Sequence, residues 1–166
     1  GTCRRTAHLS VYSRKRALNV PDARKVERGR QRRAREQRMS ERPAKTVAVI
    51  GASNNRAKFG NRALRAYAAQ GYTVVPIHPT AETIEGVRAF RSVLDVPGPI
   101  DLVSFYVPPD IGLQVIEDVV AKGIPEVWLN PGADSDALIE KSRALGLRPI
   151  VACSIVALGM NPDGLY

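Results

Sequence analysis

The sequence predicts a doubly wound α/β domain with a mainly parallel, five-stranded Rossmann-like sheet, and three observations predict it. After Thr46, short β-branched runs alternate with segments of helical period, the form taken by a parallel sheet covered by helices on both faces. Glycine falls just beyond three of those helical segments, at Gly71, Gly123 and Gly146, where a left-handed cap favours it. Each strand then runs into small, polar or proline-containing residues, and in such sheets the carboxyl ends of the strands are where ligands sit.

The elements follow in order. Residues 1–42 are rich in Arg and poor in large apolar residues, and "ARKVERGRQRRAREQRM" offers helix formers without an apolar stripe that could dock on a core. A disordered basic tail is expected there. Met39 opens "MSERPAKTVAVIGAS", a short polar lead into the first strand, and reads as a candidate true start. From residue 43 on, the expected strands are Thr46 to Ile50, Thr73 to Ile77, Leu102 to Tyr106, Glu126 to Leu129 and Pro149 to Ala152. The expected helices are Gly60 to Gln70, Asp110 to Lys122 and Ser135 to Leu145, with at most a short helix near Ala89 to Leu94 before a Pro-Gly-Pro break. Right-handed crossovers suggest the strand order 3-2-1-4-5.

Length and charge narrow the function. At 166 residues with 44% hydrophobic content the chain holds one ordinary core. The net charge of +9 is uneven: residues 1–45 carry fifteen Lys or Arg against four acids, and residues 46–166 carry ten against twelve. A nucleic-acid-binding role is thus expected only through the basic tail, where Tyr12 is the single aromatic available for stacking. Cys3 and Cys153 form no zinc or disulfide pattern, and no run of about eighteen apolar residues suggests a membrane span, so the expected compartment is the cytoplasm.

The chemistry lies at the strand ends. "VAVIGASNNRAKFG" ends the first strand in Gly51, Ala52 and Ser53, whose lack of bulk would let backbone N–H groups approach an anion, with Arg56 and Lys58 to supply charge. An ordinary strand-to-helix turn would read similarly, and the Gly-Lys-Ser/Thr ending of a P-loop is missing. The second strand ends in His78-Pro79, where an NAD site would place an acid, so a phosphorylated ribose fits better, that of NADP or of coenzyme A. Val107-Pro108-Pro109 makes a rigid apolar corner that could line an adenine or simply start a helix. Asn130, Pro131 and Gly132 close the fourth strand, with Asp134 or Ser135 as cap for the next helix, and Cys153 stands at the mouth of the fifth.

Taken together, "VAVIGAS", "VPPD" after a strand, "NPGADSDALIEKSRALGL" and "ACSIVALG" resemble the CoA-binding domain family, small Rossmann-type proteins similar to the N-terminal domain of the succinyl-CoA synthetase alpha subunit. The resemblance runs from about Thr46 to Gly159. It implies that Gly51, Ala52 and Ser53 meet the pyrophosphate of coenzyme A, that His78 and Pro79 lie near the ribose phosphate or adenine, and that Val107 and Pro108 pack on the adenine. Asn130, Pro131 and Gly132 would flank the pantetheine exit. Cys153 itself reads first as a small buried residue at a strand end, with a mixed disulfide to the coenzyme's thiol as the alternative. A side chain placed at Gly51 is expected to intrude on the phosphate position.

The ligase's second domain, which carries the phosphorylated histidine, and its nucleotide-binding partner have no counterpart in this sequence. The expectation is therefore non-catalytic binding of coenzyme A or an acyl-CoA. An NADP-dependent oxidoreductase is the enzymatic alternative, weakened because neither Tyr72 nor Tyr106 is followed by a lysine four residues on.

Overall fold

A computed structural model describes residues 22–40 and 44–165, and the chain divides into two units, Gly1–Arg42 and Pro43–Tyr166. In the first unit, helix α1 spans Ala23–Ser40, within the stretch that the sequence reads as a basic tail. The reason is local: the stretch is built largely of Ala, Arg, Glu and Gln, and the Arg24 amide donates to the Asp22 carboxylate at the helix start. Residues 22–34 are all exposed, as the missing apolar stripe requires. The tail residues 1–21 lie outside the described residues.

The second unit is the α/β domain. Its strands and helices alternate as β1 (Thr46–Ile50), α2 (Phe59–Ala69), β2 (Thr73–Ile77), a small hairpin of β3 (Thr83–Ile84) and β4 (Val87–Arg88), β5 (Leu102–Phe105), α3 (Pro109–Lys122), β6 (Glu126–Leu129), α4 (Asp136–Ala144), β7 (Ile150–Val151) and the short α5 (Ser154–Ala157). The five long-range strands form one wholly parallel sheet. Alternate residues of β1 and β5 point to opposite faces. Ala48, Ile50, Val103 and Phe105 join Ile116, Val119 and Leu138 in the core beneath α3 and α4. Val47, Val49 and Leu102 join Ala63, Leu64, Ala66 and Tyr67 beneath α2. Both faces are covered, so β1 and β5 read as nearly continuous apolar runs.

The sheet order is β2-β1-β5-β6-β7, which corrects the expected 3-2-1-4-5: the strand after the hairpin lies beside β1, on the side away from β2. Two features put β2 at that edge. Pro76 has no N–H to give to a further strand, a property that confines proline to sheet edges. The outer rim of β2 is then closed by one residue of the crossover, since the His78 amide donates to the Phe90 carbonyl (2.9 Å) and the Phe90 amide to the Pro76 carbonyl (3.0 Å). The crossover thus carries a hairpin, this bridge and a 3-10 turn at Val93–Asp95 in place of the short helix expected around residues 89–94. The chain reverses its winding between β1 and β5, and that is where the carboxyl ends of the strands open a crevice.

Candidate functional site

At the reversal, β1 ends in Gly51, which is held from both sides. Its amide donates to the Ile77 carbonyl (3.2 Å), and the Tyr106 amide donates to the Ile50 carbonyl (2.8 Å). Gly51 has φ +87°, and a Cβ on it would stand 2.5 Å from the Tyr106 carbonyl oxygen and 2.8 Å from a Val107 methyl. The side chain of any replacement therefore meets the neighbouring strand end, not the anion position that the sequence suggested. Gly60 completes the constraint from the helix side, because a Cβ there would collide with the Gly51 carbonyl oxygen. The two glycines let the first turn of α2 sit directly on the end of β1.

This close seat gives α2 its role. Its N-terminus carries no side-chain cap and no acid in its first turn, and Phe59 and Gly60 line a cleft of about 520 Å³. The positive end of the helix and its first N–H groups are thus turned toward that space. Gly51, Ala52, Ser53, Lys58, His78, Pro79, Val107, Pro108, Pro131 and Gly132, ten of the thirteen residues singled out from sequence, line the same cleft. Its charged or titratable lining comprises Lys58, His78 and Tyr106, with no acidic side chain among the described residues.

Individual contacts define what the cleft offers. Ser53 Oγ accepts from the Asn55 amide (3.1 Å), which fixes its position while its proton stays available for donation. His78 Nδ1 accepts from the amides of Ala81 (2.9 Å) and Thr80 (3.2 Å), so the ring carries its proton on Nε2 and presents that N–H as a donor. Val107 and Pro108 form the apolar corner between the first and fourth strand ends, and Pro108 precedes α3 without capping it through a side chain. Across the cleft, Gly132 donates its amide to Asp134 (2.9 Å), while Ser135 is the cap of α4, accepting from the Leu138 amide (3.2 Å).

Three of the thirteen residues lie elsewhere. The Arg56 guanidinium pairs with Glu85 on the hairpin (3.2 Å). Asn130 is 1% exposed and knits strand ends together below the cleft floor: its Nδ2 donates to Ser104 Oγ (2.8 Å) and the Phe105 carbonyl (3.0 Å), and its Oδ1 accepts from the Ser154 amide (2.8 Å). Cys153 packs half-buried on the α2 face of the sheet, immediately before α5. Conversely, Phe59, Gly60 and Tyr106 line the cleft without having been expected there. Gly60 was legible as a helix start but not as the partner of Gly51, a contact made only in three dimensions. The Tyr106 hydroxyl is engaged with Ser154 Oγ (2.9 Å), and burial pushes its ionisation well above the ordinary tyrosine range. It is held as a neutral structural group.

A wholly parallel sheet with helices on both faces and a glycine turn at the switch point defines a Rossmann-like α/β domain. The chain belongs to the CoA binding domain family, whose model matches residues 45–159. Its relatives include the alpha subunit of the ADP-forming acetate–CoA ligase II of Pyrococcus furiosus, 37% identical over 84 residues that make up 49% of this chain and 18% of the ligase subunit. An uncharacterized protein of Bacillus subtilis, YneT, is 28% identical over 89 residues, 54% of this chain and 66% of that one. This chain therefore spans less than two thirds of these relatives. Among solved structures, a conserved hypothetical protein from Pyrococcus furiosus superposes with a TM-score of 0.62 at 33% identity, covering 69% of this chain and 99% of that one. The dinucleotide-forming acetyl-coenzyme A synthetase 1 of Ca. Korarchaeum cryptofilum, solved with phosphate and ADP, superposes with a TM-score of 0.57 at 29% identity over 64% of this chain and 25% of that one. Among the described residues no helix is long and apolar enough to cross a membrane, and no group of three or more His, Cys, Asp or Glu side chains could hold a metal ion.

Proposed function

We infer that the cleft binds coenzyme A or an acyl-CoA and performs no chemistry on it. The observation that carries this reading is the convergence on one crevice of the α2 N-terminus, the Gly51-Ala52-Ser53 turn and Lys58, with no carboxylate to repel an anion. The pyrophosphate takes the turn and the helix end, where backbone N–H groups and the Ser53 hydroxyl donate. The 3′-phosphate lies toward His78, which lines the cleft, and the adenine packs against Val107 and Pro108. The pantetheine leaves past Pro131 and Gly132. Non-catalytic binding is supported by the groups that line the cleft: the Tyr106 hydroxyl is committed to Ser154, and His78 Nδ1 accepts from the Thr80 and Ala81 amides. The Nδ1 atom that a relay would use is already occupied by two backbone amides.

Calorimetry of the full chain against coenzyme A, dephospho-coenzyme A, NADP and NAD tests the reading. Saturable binding of coenzyme A that weakens when the 3′-phosphate is removed is expected. Binding of NADP with none of coenzyme A would overturn it in favour of an oxidoreductase module.

A separate activity is favoured at α1, whose sequence holds eight Lys or Arg against two Glu and whose described side chains, residues 23–34, are exposed. Such a helix attracts the phosphates of a nucleic acid, with an affinity that falls steeply with salt. Fluorescence anisotropy of a labelled oligonucleotide at low and high salt checks this, and absence of binding at low salt ends it.

A further inference from the structure

The hairpin between β2 and β5 contains a feature that the cleft's chemistry does not use. Glu85 has φ +50°, the one non-glycine residue with positive φ among those described, and Gly86 follows at φ +76°. A two-residue hairpin with both central φ positive ordinarily takes Asn, Asp or Gly at the first position, because side chains with a longer stem gain nothing there and are strained. The strain at Glu85 is offset by what its carboxylate reaches. Oε1 accepts from Asn61 Nδ2 (2.9 Å) and pairs with the Arg56 guanidinium (3.2 Å).

Asn61 is fully buried in the first turn of α2, and its amide is saturated. Nδ2 also donates to the Ser53 carbonyl (2.7 Å), and Oδ1 accepts from Arg65 Nε (2.8 Å). A second tie runs directly from Asn54 Nδ2 to the Thr83 carbonyl of the hairpin (3.1 Å). The loop from Ser53 to Lys58, whose two ends line the cleft, is thus fastened at its start through Asn61 and at Arg56 through the guanidinium, both ending on one carboxylate. Asn54 and the Arg56 carbonyl, which accepts from Arg65 Nη2 (3.3 Å), tie it independently of Glu85. An exposed loop of this length would otherwise carry much of its own ordering entropy into any binding event.

We propose that Glu85 is a positioning residue: through Asn61 and Arg56 it presets the Ser53–Lys58 loop in the shape that receives the ligand's phosphates, and Arg56 acts as part of this latch, not as a ligand contact. The functional half of the inference rests on the coenzyme A reading above; the structural half does not. Glu85→Gly and Glu85→Asn both suit a positive φ and both fall short of Asn61 and Arg56, whereas Glu85→Gln keeps an oxygen that can accept from each.

Hydrogen exchange of the ligand-free protein reads the latch directly. Amides of residues 53–58 are expected to exchange about tenfold faster or more in the Gly and Asn variants, and near the wild-type rate in the Gln variant, with β1 and α3 unchanged throughout. The melting temperature should move by no more than about 2 °C, because relief at residue 85 offsets the lost contacts. Affinity for coenzyme A should fall about tenfold in the Gly and Asn variants and recover with Gln. Unchanged exchange in both short variants would overturn the latch. So would faster exchange spread over the whole domain with a matching fall in melting temperature, which marks a merely structural turn. If exchange responds as expected but the wild type binds no coenzyme A, the latch stands and the ligand reading falls.

Discussion

Helices α2 and α4 both start from the carboxyl ends of the strands, and their first turns are answered in opposite ways. At α4 the chain supplies its own acceptor: Ser135 Oγ takes the Leu138 amide and Asp136 follows in the first turn, so the positive end is answered within the structure. At α2 the preceding residue is Lys58, no side chain caps the helix, and no acid stands in the first turn. A basic residue there opposes the helix dipole and is locally unfavourable. Two glycines nevertheless bring this end into close contact with β1. The difference separates a helix start answered within the fold from one that, on the coenzyme A reading proposed above, receives the ligand's phosphates.

The largest expected effect tests the seat of α2. Gly51→Val forces a β-branched residue to positive φ and into the Tyr106 carbonyl, and should cost about 3 kcal/mol or more. Gly132, also at positive φ but with open space about its Cβ position, should lose only about 1 kcal/mol on replacement by Ala. Urea denaturation of both variants measures the contrast, and equal losses would show that conformation alone, not the contact with Tyr106, requires glycine at residue 51. The next effect tests the open helix end. Lys58→Glu should weaken coenzyme A binding by roughly tenfold to a hundredfold, since it replaces an attractive charge with a repulsive one. Titration calorimetry at fixed ionic strength decides it, and an unchanged affinity would place the phosphates elsewhere.

Much of this contrast was legible in the sequence. Gly51 and Lys58 could be placed on one loop because a buried strand and a helical period fixed both ends of it, and the cap of α4 could be narrowed to Asp134 or Ser135 from their position before an apolar repeat. The sheet order was not read correctly, although Pro76 in the middle of β2 already argued for an edge. What could not be read were contacts between residues distant in the chain: Gly60 against the Gly51 carbonyl, Glu85 drawing Arg56 away from the cleft, and Asn130 turned inward to Ser104 and Ser154. Asn130 and Arg56 have the residue types of ligand contacts, and the partners they find in the fold, Ser104, Phe105 and Ser154 for one and Glu85 for the other, are visible only in three dimensions.

Ser135→Ala sharpens the comparison from the closed side. Removing the cap should cost about 1 kcal/mol of stability and leave coenzyme A affinity unchanged, the reverse of the pattern expected at Lys58. A comparable loss of affinity would mean that α4 also presents its end to the ligand.

The smallest effect lies further along α4, where Lys141 Nζ meets the Glu117 carboxylate of α3 at 2.8 Å. The hydrogen bond from Lys141, and then its charge, hold the Glu117 carboxyl below the ordinary glutamate range. A carboxylate with a depressed folded-state pKa binds its proton less readily in the native protein than in the unfolded chain. Its contribution is thus fully present above the unfolded value of about 4.3 and is lost as pH falls through the depressed one. Glu117 is solvent-exposed, so the pair is screened and the effect on stability is small. Glu117→Gln should leave the neutral-pH melting temperature almost unchanged and slightly flatten its decline below pH 4.3, roughly the unfolded value. A pH series of thermal melts compares the two proteins. A decline as steep as in the wild type would mean that the helix-to-helix pair carries no pH-dependent stability, leaving the Ser135 cap and the buried Leu138 to hold α4 on the fold.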